Sequence, residues 1–393
     1  MGIHGLSKLI ADNAPDAIRE HKMEAYFGRK IAIDASMSIY QFLIAVRSSG
    51  QMLANEAGDV TSHLQGIWSR TLRMLEDGLK PVYVFDGKPP TLKSGELAKR
   101  KKRHAEATDD LAQAEEEGNQ ENIEKYSKRT VRVNSEHNGE CKRLLRLMGI
   151  PVIEAPCEAE SQCAELARAG KVFATASEDM DSLTFATPIL LRHLHSPEAK
   201  KVPIHEFNLS EVLAGLKMTM DQFIDVCILC GCDYVDPIKG VGPVTALKLI
   251  RDYGSIDNAM KHIQSNSKYT LPESFKYEEA RELFLKPEVT KAEDIELVWG
   301  DCDEEGIRQY MIQEKGFDAK RIENGLEKLR KSKSKSTQGR LESFFGPVTV
   351  VKRKHDDISG GDKKGAKKAK VAPGKAAAGK GAAGKKAAAG KKK

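Results

Sequence analysis

Two β-rich runs, KIAIDAS and PVYVFDG, each end on an aspartate, Asp34 and Asp86, and the interval between them has room for two helices. Residues 36–47 and 60–78 carry helical patterning there, divided by the polar, Gly-containing stretch SSGQMLANEAGD. Strand, helical crossover and strand form a β-α-β unit, which sets the strands parallel in one sheet with helices on its faces. The pattern resumes with RLLRLMGIPVIEAP, then the helical CEAESQCAELARAG and the strand KVFATAS, and residues 220–260 read as mainly helical. The expected fold class is α/β, built on a central, mainly parallel sheet.

A chain of 393 residues with 40% hydrophobic content can bury a large core, or two fused ones, and still carry tails. No uninterrupted apolar run reaches the roughly 18–20 residues of a membrane-spanning helix. MGIHGLSKLI is too short and too weakly apolar for a signal peptide, and Leu6 stands where a myristoylation signal needs Ser or Thr. Seven cysteines without framework spacing fit a reducing, intracellular setting. Cys227, Cys230 and Cys232 include a CxxC, but no second Cys or His pair stands at ligand spacing and VCILCGC is apolar, so buried free thiols are expected rather than zinc.

Charge is unevenly spread. Residues 351–393 hold 15 Lys/Arg against 3 Asp/Glu, leaving 48 basic and 54 acidic residues in the other 350, a net −6. Residues 88–104 carry seven Lys/Arg and one acid, 105–121 seven acids and no base, and 122–132 turn basic again. That stretch reads either as a solvated helical hairpin or as a mobile basic arch over a site. Beyond about residue 330 periodicity fades: KSKSKST reads as a linker, TQGRLESFF as an apolar island, and the Lys/Ala/Gly tail as low-complexity and disordered.

Six acids fall where a parallel sheet delivers side chains to one edge. Asp34 and Asp86 end strands, Glu158 and Glu160 open a helix after a third strand, and Asp179 and Asp181 occupy the loop SEDMDS after a fourth. Carboxyl ends of strands form the binding crevice of open α/β sheets, and residues i and i+2 of extended chain share a face. Singly, each acid suits a helix cap or a solvated loop. Together, with no basic partner beside them, they would repel by several kcal/mol at roughly 4 Å. Hard divalent cations with oxygen ligands relieve such repulsion, so Mg2+ or Mn2+ fits the set.

MGIHGL, the IAIDAS and VYVFDG acids, the EAE and DMD pairs, and GCDY followed by KGVGPVTA closely resemble the eukaryotic flap endonucleases of the XPG family. The resemblance spans roughly residues 1–345. It implies a PIN-like nuclease core with a helical arch and a helix-two-turn-helix element, whereas the long Lys/Ala/Gly tail departs from the family's shorter basic tails. It assigns metal ligation to Asp34, Asp86, Glu158, Glu160, Asp179 and Asp181 and adds a seventh acid, Asp233. Two-metal hydrolysis of a phosphodiester is implied, one ion activating water and the other stabilising the leaving oxygen. Lys93 and Arg100 resemble the family's cations that polarise the scissile phosphate.

In GVGPVTALKLI, Gly240 and Gly242 let backbone N–H groups approach a phosphate at a helix start, although a tight helix–helix turn explains the glycines equally well. The resemblance makes this the duplex grip, with a K+ ion on main-chain carbonyls. DNA contacts carried over from it are Tyr40, Arg47, Arg70, Arg103 and Gly231, with Glu158 and Asp233 shared between metal and DNA, and residues 48–59 as the wedge that bends the junction.

Gln338, Leu341, Phe344 and Phe345 match Q-x-x-L-x-x-F-F, three apolar side chains on one helical turn in a polar tail, which need an external groove. The resemblance names that partner as the replication sliding clamp, PCNA. The tail's lysines suit salt-sensitive DNA affinity or nuclear import. The expected parts are an N-terminal nuclease region 1–104, an arch 105–135, an internal nuclease region 123–254, a helical part 255–330, a linker 331–337, a clamp motif 338–345 and a tail 346–393. The resemblance implies a monomeric, magnesium-dependent 5′ nuclease of replication and long-patch repair. It would cut flaps and nicked or gapped DNA in the nucleus (nucleolus and nucleoplasm), with the mitochondrion as a second compartment. The rivals are a 5′→3′ exonuclease acting mainly on nicks or gaps and a catalytically silent, clamp-bound scaffold. Thr187-Pro188 additionally offers a proline-directed phosphorylation site.

Overall fold

The computed structural model describes residues 2–48, 61–194 and 202–335. Seven strands form one mixed sheet: β1 (Ile18–His21), β2 (Lys30–Asp34), β3 (Lys80–Phe85), β4 (Val152–Glu154), β5 (Ala174–Ala176), β6 (Ile189–Arg192) and β7 (Ile204–Asn208). Their order is β1-β7-β6-β5-β2-β3-β4. The run from β6 through β5, β2 and β3 to β4 is parallel, whereas β7 pairs antiparallel with both β6 and β1.

Alternation along the central strands fills a core on each face of the sheet. Ile31 and Ile33 of β2 join Tyr83 and Phe85 of β3 in one core; Ala32, Val82 and Val84 join the other. A strand buried on both sides reads as a continuous apolar run, as IAI and VYVF do. Helices Ala35–Ser48, Ser62–Glu76, Ser135–Leu147 and Ala319–Lys335 cover the first face, and Ala159–Arg168 covers the second. A third core joins the N-terminal helix Leu6–Asn13 to helices Met220–Cys230, Pro243–Tyr253 and Ile256–Ser265. Buried Asp225 fastens that bundle, accepting from the Ile256 N–H at 2.9 Å and from Arg281 at 2.8 and 3.0 Å.

The expected α/β class and the parallel centre are present, but β1, β6 and β7 are additions. β1 (IREH) is polar, and β7 is completed only by its neighbours, so neither has a strong local signature. The boundary near residue 330 also moves. Helix Ala319–Lys335 runs through the first part of the expected linker, and Ile322, Leu326, Leu329 and Ser332 are buried along one side. Leu326→Ala should therefore cost about 2–5 kcal/mol, read as a lower urea midpoint at unchanged slope.

Residues 94–129 form the helical hairpin of the two readings: helix Ser94–Glu116, a turn with Gly118 at φ +66°, and helix Gln120–Arg129 capped by Asn119. It begins eleven residues before the expected arch boundary at 105. Residues 49–59 of the expected wedge, the Arg47 side chain, the clamp motif Gln338–Phe345 and the tail lie outside the described residues.

Candidate active site

Because β2, β3, β4 and β5 are parallel, their carboxyl ends lie along one edge, and the chain leaves each end carrying acids. Asp34 is the last residue of β2, Asp86 follows β3, Glu158 caps the helix that follows β4, and Asp179 and Asp181 follow β5. Asp233 arrives from elsewhere, in the turn after helix Met220–Cys230.

Six of the seven acids, Glu160 excepted, accept from an identified donor. Asp34 Oδ1 accepts from the Met37 N–H at 3.0 Å and its Oδ2 from the Ser177 hydroxyl at 3.1 Å. That Ser177 oxygen in turn accepts from the Asp179 N–H at 3.0 Å, so one side chain registers two acids. Asp86 Oδ1 accepts from the Ala159 N–H at 2.8 Å, the start of the helix bearing Glu160. Asp179 Oδ1 accepts from the Asp181 N–H at 3.1 Å, and Asp181 Oδ1 from the Ile3 N–H at 2.8 Å. Glu158 Oε1 pairs with Lys93 Nζ at 2.5 Å, and its Oε2 accepts from the Tyr234 hydroxyl. Asp233 meets Lys93 at 3.2 Å and Arg100 at 2.6 Å.

Seven carboxylates thus share two contacting cations, and the electrostatics register the imbalance. Burial, with the neighbouring Asp86, pushes Asp34 up to about 7. Burial and then Asp34 hold Glu160 well above the usual carboxylate range; burial, Asp179 and Asp233 do the same for Asp181. Lys93 shows the converse: burial pulls its ammonium down, but Glu160, Glu158 and Asp233 outweigh burial and hold it above its ordinary value. The donors are all oxygen, with no His or Cys among the seven acids, and the surplus is negative, which is the chemistry a hard divalent cation fits. Among the described residues no three His, Cys, Asp or Glu already converge in metal-holding geometry.

The N-terminal residues close this site. Gly2 has φ +72°, and a Cβ there would lie 1.7 Å from Asp179 Oδ1 and 2.2 Å from Asp181 Oδ1, so only glycine fits against the pair. Sequence reasoning assigned no role to Gly2, Ile3, Ser177 or Tyr234. Ser177 stands two places before Asp179 and Tyr234 directly after Asp233, so adjacency in SEDMDS and GCDY was the available signal.

Other expected residues fall into different settings. Arg70 turns inward: its guanidinium donates to the Ser38 carbonyl at 2.8 Å, stacks 5.3 Å from the Phe42 ring and is pulled by burial down to about 10. Tyr40 is half-buried against the sheet core. Arg103 is exposed and pairs with Glu96 at 2.8 Å, which also holds Arg100 at 3.1 Å. Gly231, at φ +100°, packs on His4, whose N–H donates to the Gly231 carbonyl at 3.2 Å. Gly240 is required by the fold, with φ +88° and the Lys268 carbonyl 2.6 Å from where a Cβ would stand. Gly242 is extended, caps helix Pro243–Tyr253 and has open space where a side chain would be, so an external group can reach the helix start there. Cys227 and Cys230 are buried free thiols and Cys232 a half-buried one. Thr187 is fully buried, its Oγ1 2.8 Å from that of Thr175, so a kinase reaches it only if the segment opens. No described helix is long and apolar enough to cross a membrane.

The chain is similar to known proteins over most of its length. The XPG N-terminal domain model matches residues 1–107 and the XPG I-region model residues 149–233. Flap endonuclease 1 of Danio rerio is 59% identical over 366 residues, covering 93% of this chain and 96% of the relative. Flap endonuclease 1 of Glycine max is 57% identical over 377 residues, covering 94% and 98%. Among solved structures, the flap endonuclease-1 from Methanococcus jannaschii superposes with a TM-score of 0.64 at 29% identity, covering 84% of this chain and 99% of that one. The catalytic core of Rad2 in complex with DNA substrate gives 0.63 at 25% identity, covering 84% and 100%.

Proposed function

Because the chain belongs to the flap endonucleases of the XPG family, we propose that it cuts DNA at 5′ flaps as a divalent-metal-dependent, structure-specific nuclease. The observation that carries this reading is the crowding of seven carboxylates from separate elements at one sheet edge, with Lys93 and Arg100 beside them. Asp34, Asp86, Glu158, Glu160, Asp179, Asp181 and Asp233 would hold two Mg2+ ions, with Mn2+ able to substitute. Such ions, when bound, supply an activated water and charge stabilisation for the leaving oxygen of a phosphodiester.

The chain's own residues do the rest. Lys93 and Arg100 stand where the hairpin meets the acids, so a phosphate drawn to the site meets both cations. Their present partners, Glu158 and Asp233, hold them in place until then. The open approach at Gly242 and the helix start behind it suit a duplex phosphate, and main-chain carbonyls of the same turn would take K+. Such a grip reads backbone rather than base, so selection rests on DNA shape. The same family reading extends to 5′→3′ exonuclease action on nicked and gapped DNA, Okazaki-fragment maturation and long-patch base excision repair. It also includes work as a monomer, recruitment by PCNA through Gln338, Leu341, Phe344 and Phe345, and residence in the nucleus with a mitochondrial fraction.

Cleavage of flap, nicked and hairpin substrates side by side, with and without magnesium, tests the reading. A flap substrate should be cut fastest, and only with the metal. Preference for nicks would favour the exonuclease rival, and no cutting at all the silent scaffold. If residues 94–129 embrace a single-stranded 5′ end, a flap whose end carries a bulky bound protein should not be cut, whereas unchanged cleavage would make the hairpin a solvated surface only.

A further inference from the structure

Glu158 is the one acid of the site whose two oxygens are both engaged by side chains, and the two partners differ in kind. Oε1 faces the charged Lys93 and Oε2 the neutral hydroxyl of Tyr234. A cation arriving at Glu158 competes with Lys93 for the same negative charge, but it has no such quarrel with a neutral donor. The Tyr234 contact is therefore the one that persists in a loaded site, and a hydroxyl donating to a carboxylate is among the stronger hydrogen bonds.

Tyr234 is itself immobilised. It is buried, and its ring packs edge-on against Phe284 at 5.0 Å, which in turn packs on Phe185 at 5.2 Å. Its backbone is equally constrained: Cys232 and Val235 form an antiparallel bridge, leaving Asp233 and Tyr234 as the two residues at the tip of a tight turn. Asp233 and Glu158 come from elements far apart in the chain, and Lys93 binds both. One short turn thus presents Asp233 by its backbone and clamps Glu158 by the adjacent side chain.

We propose that Tyr234 is a positioning residue of the hydrolytic site: its hydroxyl fixes the Glu158 carboxylate in register with Asp233, so that divalent cations meet the two acids already placed. This rests on the metal-dependent reading above. Partners that orient ligands in this way typically change metal affinity by about 10–100-fold when removed. Tyr234→Phe deletes the hydroxyl and keeps the ring.

The test is calorimetric titration of the full-length, metal-free protein with Mn2+, without DNA, alongside kcat measured against magnesium concentration. Tyr234→Phe should bind Mn2+ about 10–100-fold more weakly, and its kcat should recover toward wild type at high magnesium. Its thermal midpoint should stay close to wild type. Phe284→Leu, which loosens the ring packing but keeps the hydroxyl, serves as the comparison and should lose much less Mn2+ affinity than Tyr234→Phe. Equal losses in both variants would assign the effect to packing and overturn the proposal. An unchanged Mn2+ affinity in Tyr234→Phe would overturn it while leaving the metal reading intact. Absence of Mn2+ binding by the wild-type protein would instead bring down the metal reading itself.

Discussion

Asp181→Ala should lower flap cleavage by about a thousandfold while leaving DNA affinity within a few-fold of wild type. Asp181 is buried beside Asp179, with Asp233 close enough to raise its carboxyl further. In the proposed two-ion centre, loss of one charged ligand removes transition-state stabilisation of several kcal/mol, and about 4 kcal/mol corresponds to three decades in rate. The fold should tolerate the change. The Ile3 N–H loses its acceptor, a cost of about 1–3 kcal/mol, but relief of repulsion with Asp179 and Asp233 offsets part of it. The helix start at Gly242, proposed to take a duplex phosphate, belongs to a separate helix and keeps its geometry. Single-turnover cleavage paired with a binding isotherm checks both halves. Near-normal turnover would remove Asp181 from the metal site, and collapse of DNA binding would mean that the acids and the grip are not separable.

Recruitment should separate from chemistry as cleanly. Phe344→Ala combined with Phe345→Ala deletes two aromatic anchors, each typically contributing more than about 1–2 kcal/mol at an interface centre. Clamp affinity should fall at least about a hundredfold, since each 1.4 kcal/mol is a factor of about ten. Cleavage of a naked flap without the clamp should barely change, because the motif follows the last core helix, which ends at Lys335. Calorimetry against the clamp and a clamp-free flap assay are the two measurements. Tight clamp binding by the double variant would show that another segment makes the main contact. Failure of clamp-free cutting would show that the motif supports the nuclease core.

Much of this protein is legible before any coordinates. KIAIDAS and PVYVFDG declare buried parallel strands because a strand packed on both faces must be apolar throughout. Parallel strands then oblige the residues after their carboxyl ends to share an edge, so Asp34, Asp86, Glu158 and the Asp179/Asp181 pair were predictable as neighbours. The reading failed where local pattern and tertiary context part company. IREH and IHEFN become strands through their partners, and KSK continues a helix because Leu329 and Ser332 still face the core.

The same division runs through the candidate site. The sequence by itself determined which acids exist and the edge to which they are delivered, since both follow from local periodicity and strand direction. Only the tertiary structure decided what holds each acid: Ile3 reaches Asp181 across 178 positions, Ser177 reaches Asp34 across 143, and Tyr234 reaches Glu158 across 76. Such hydrogen bonds depend on distances of a few ångströms between elements that no window of sequence contains together, and they form only once burial has brought those elements into contact.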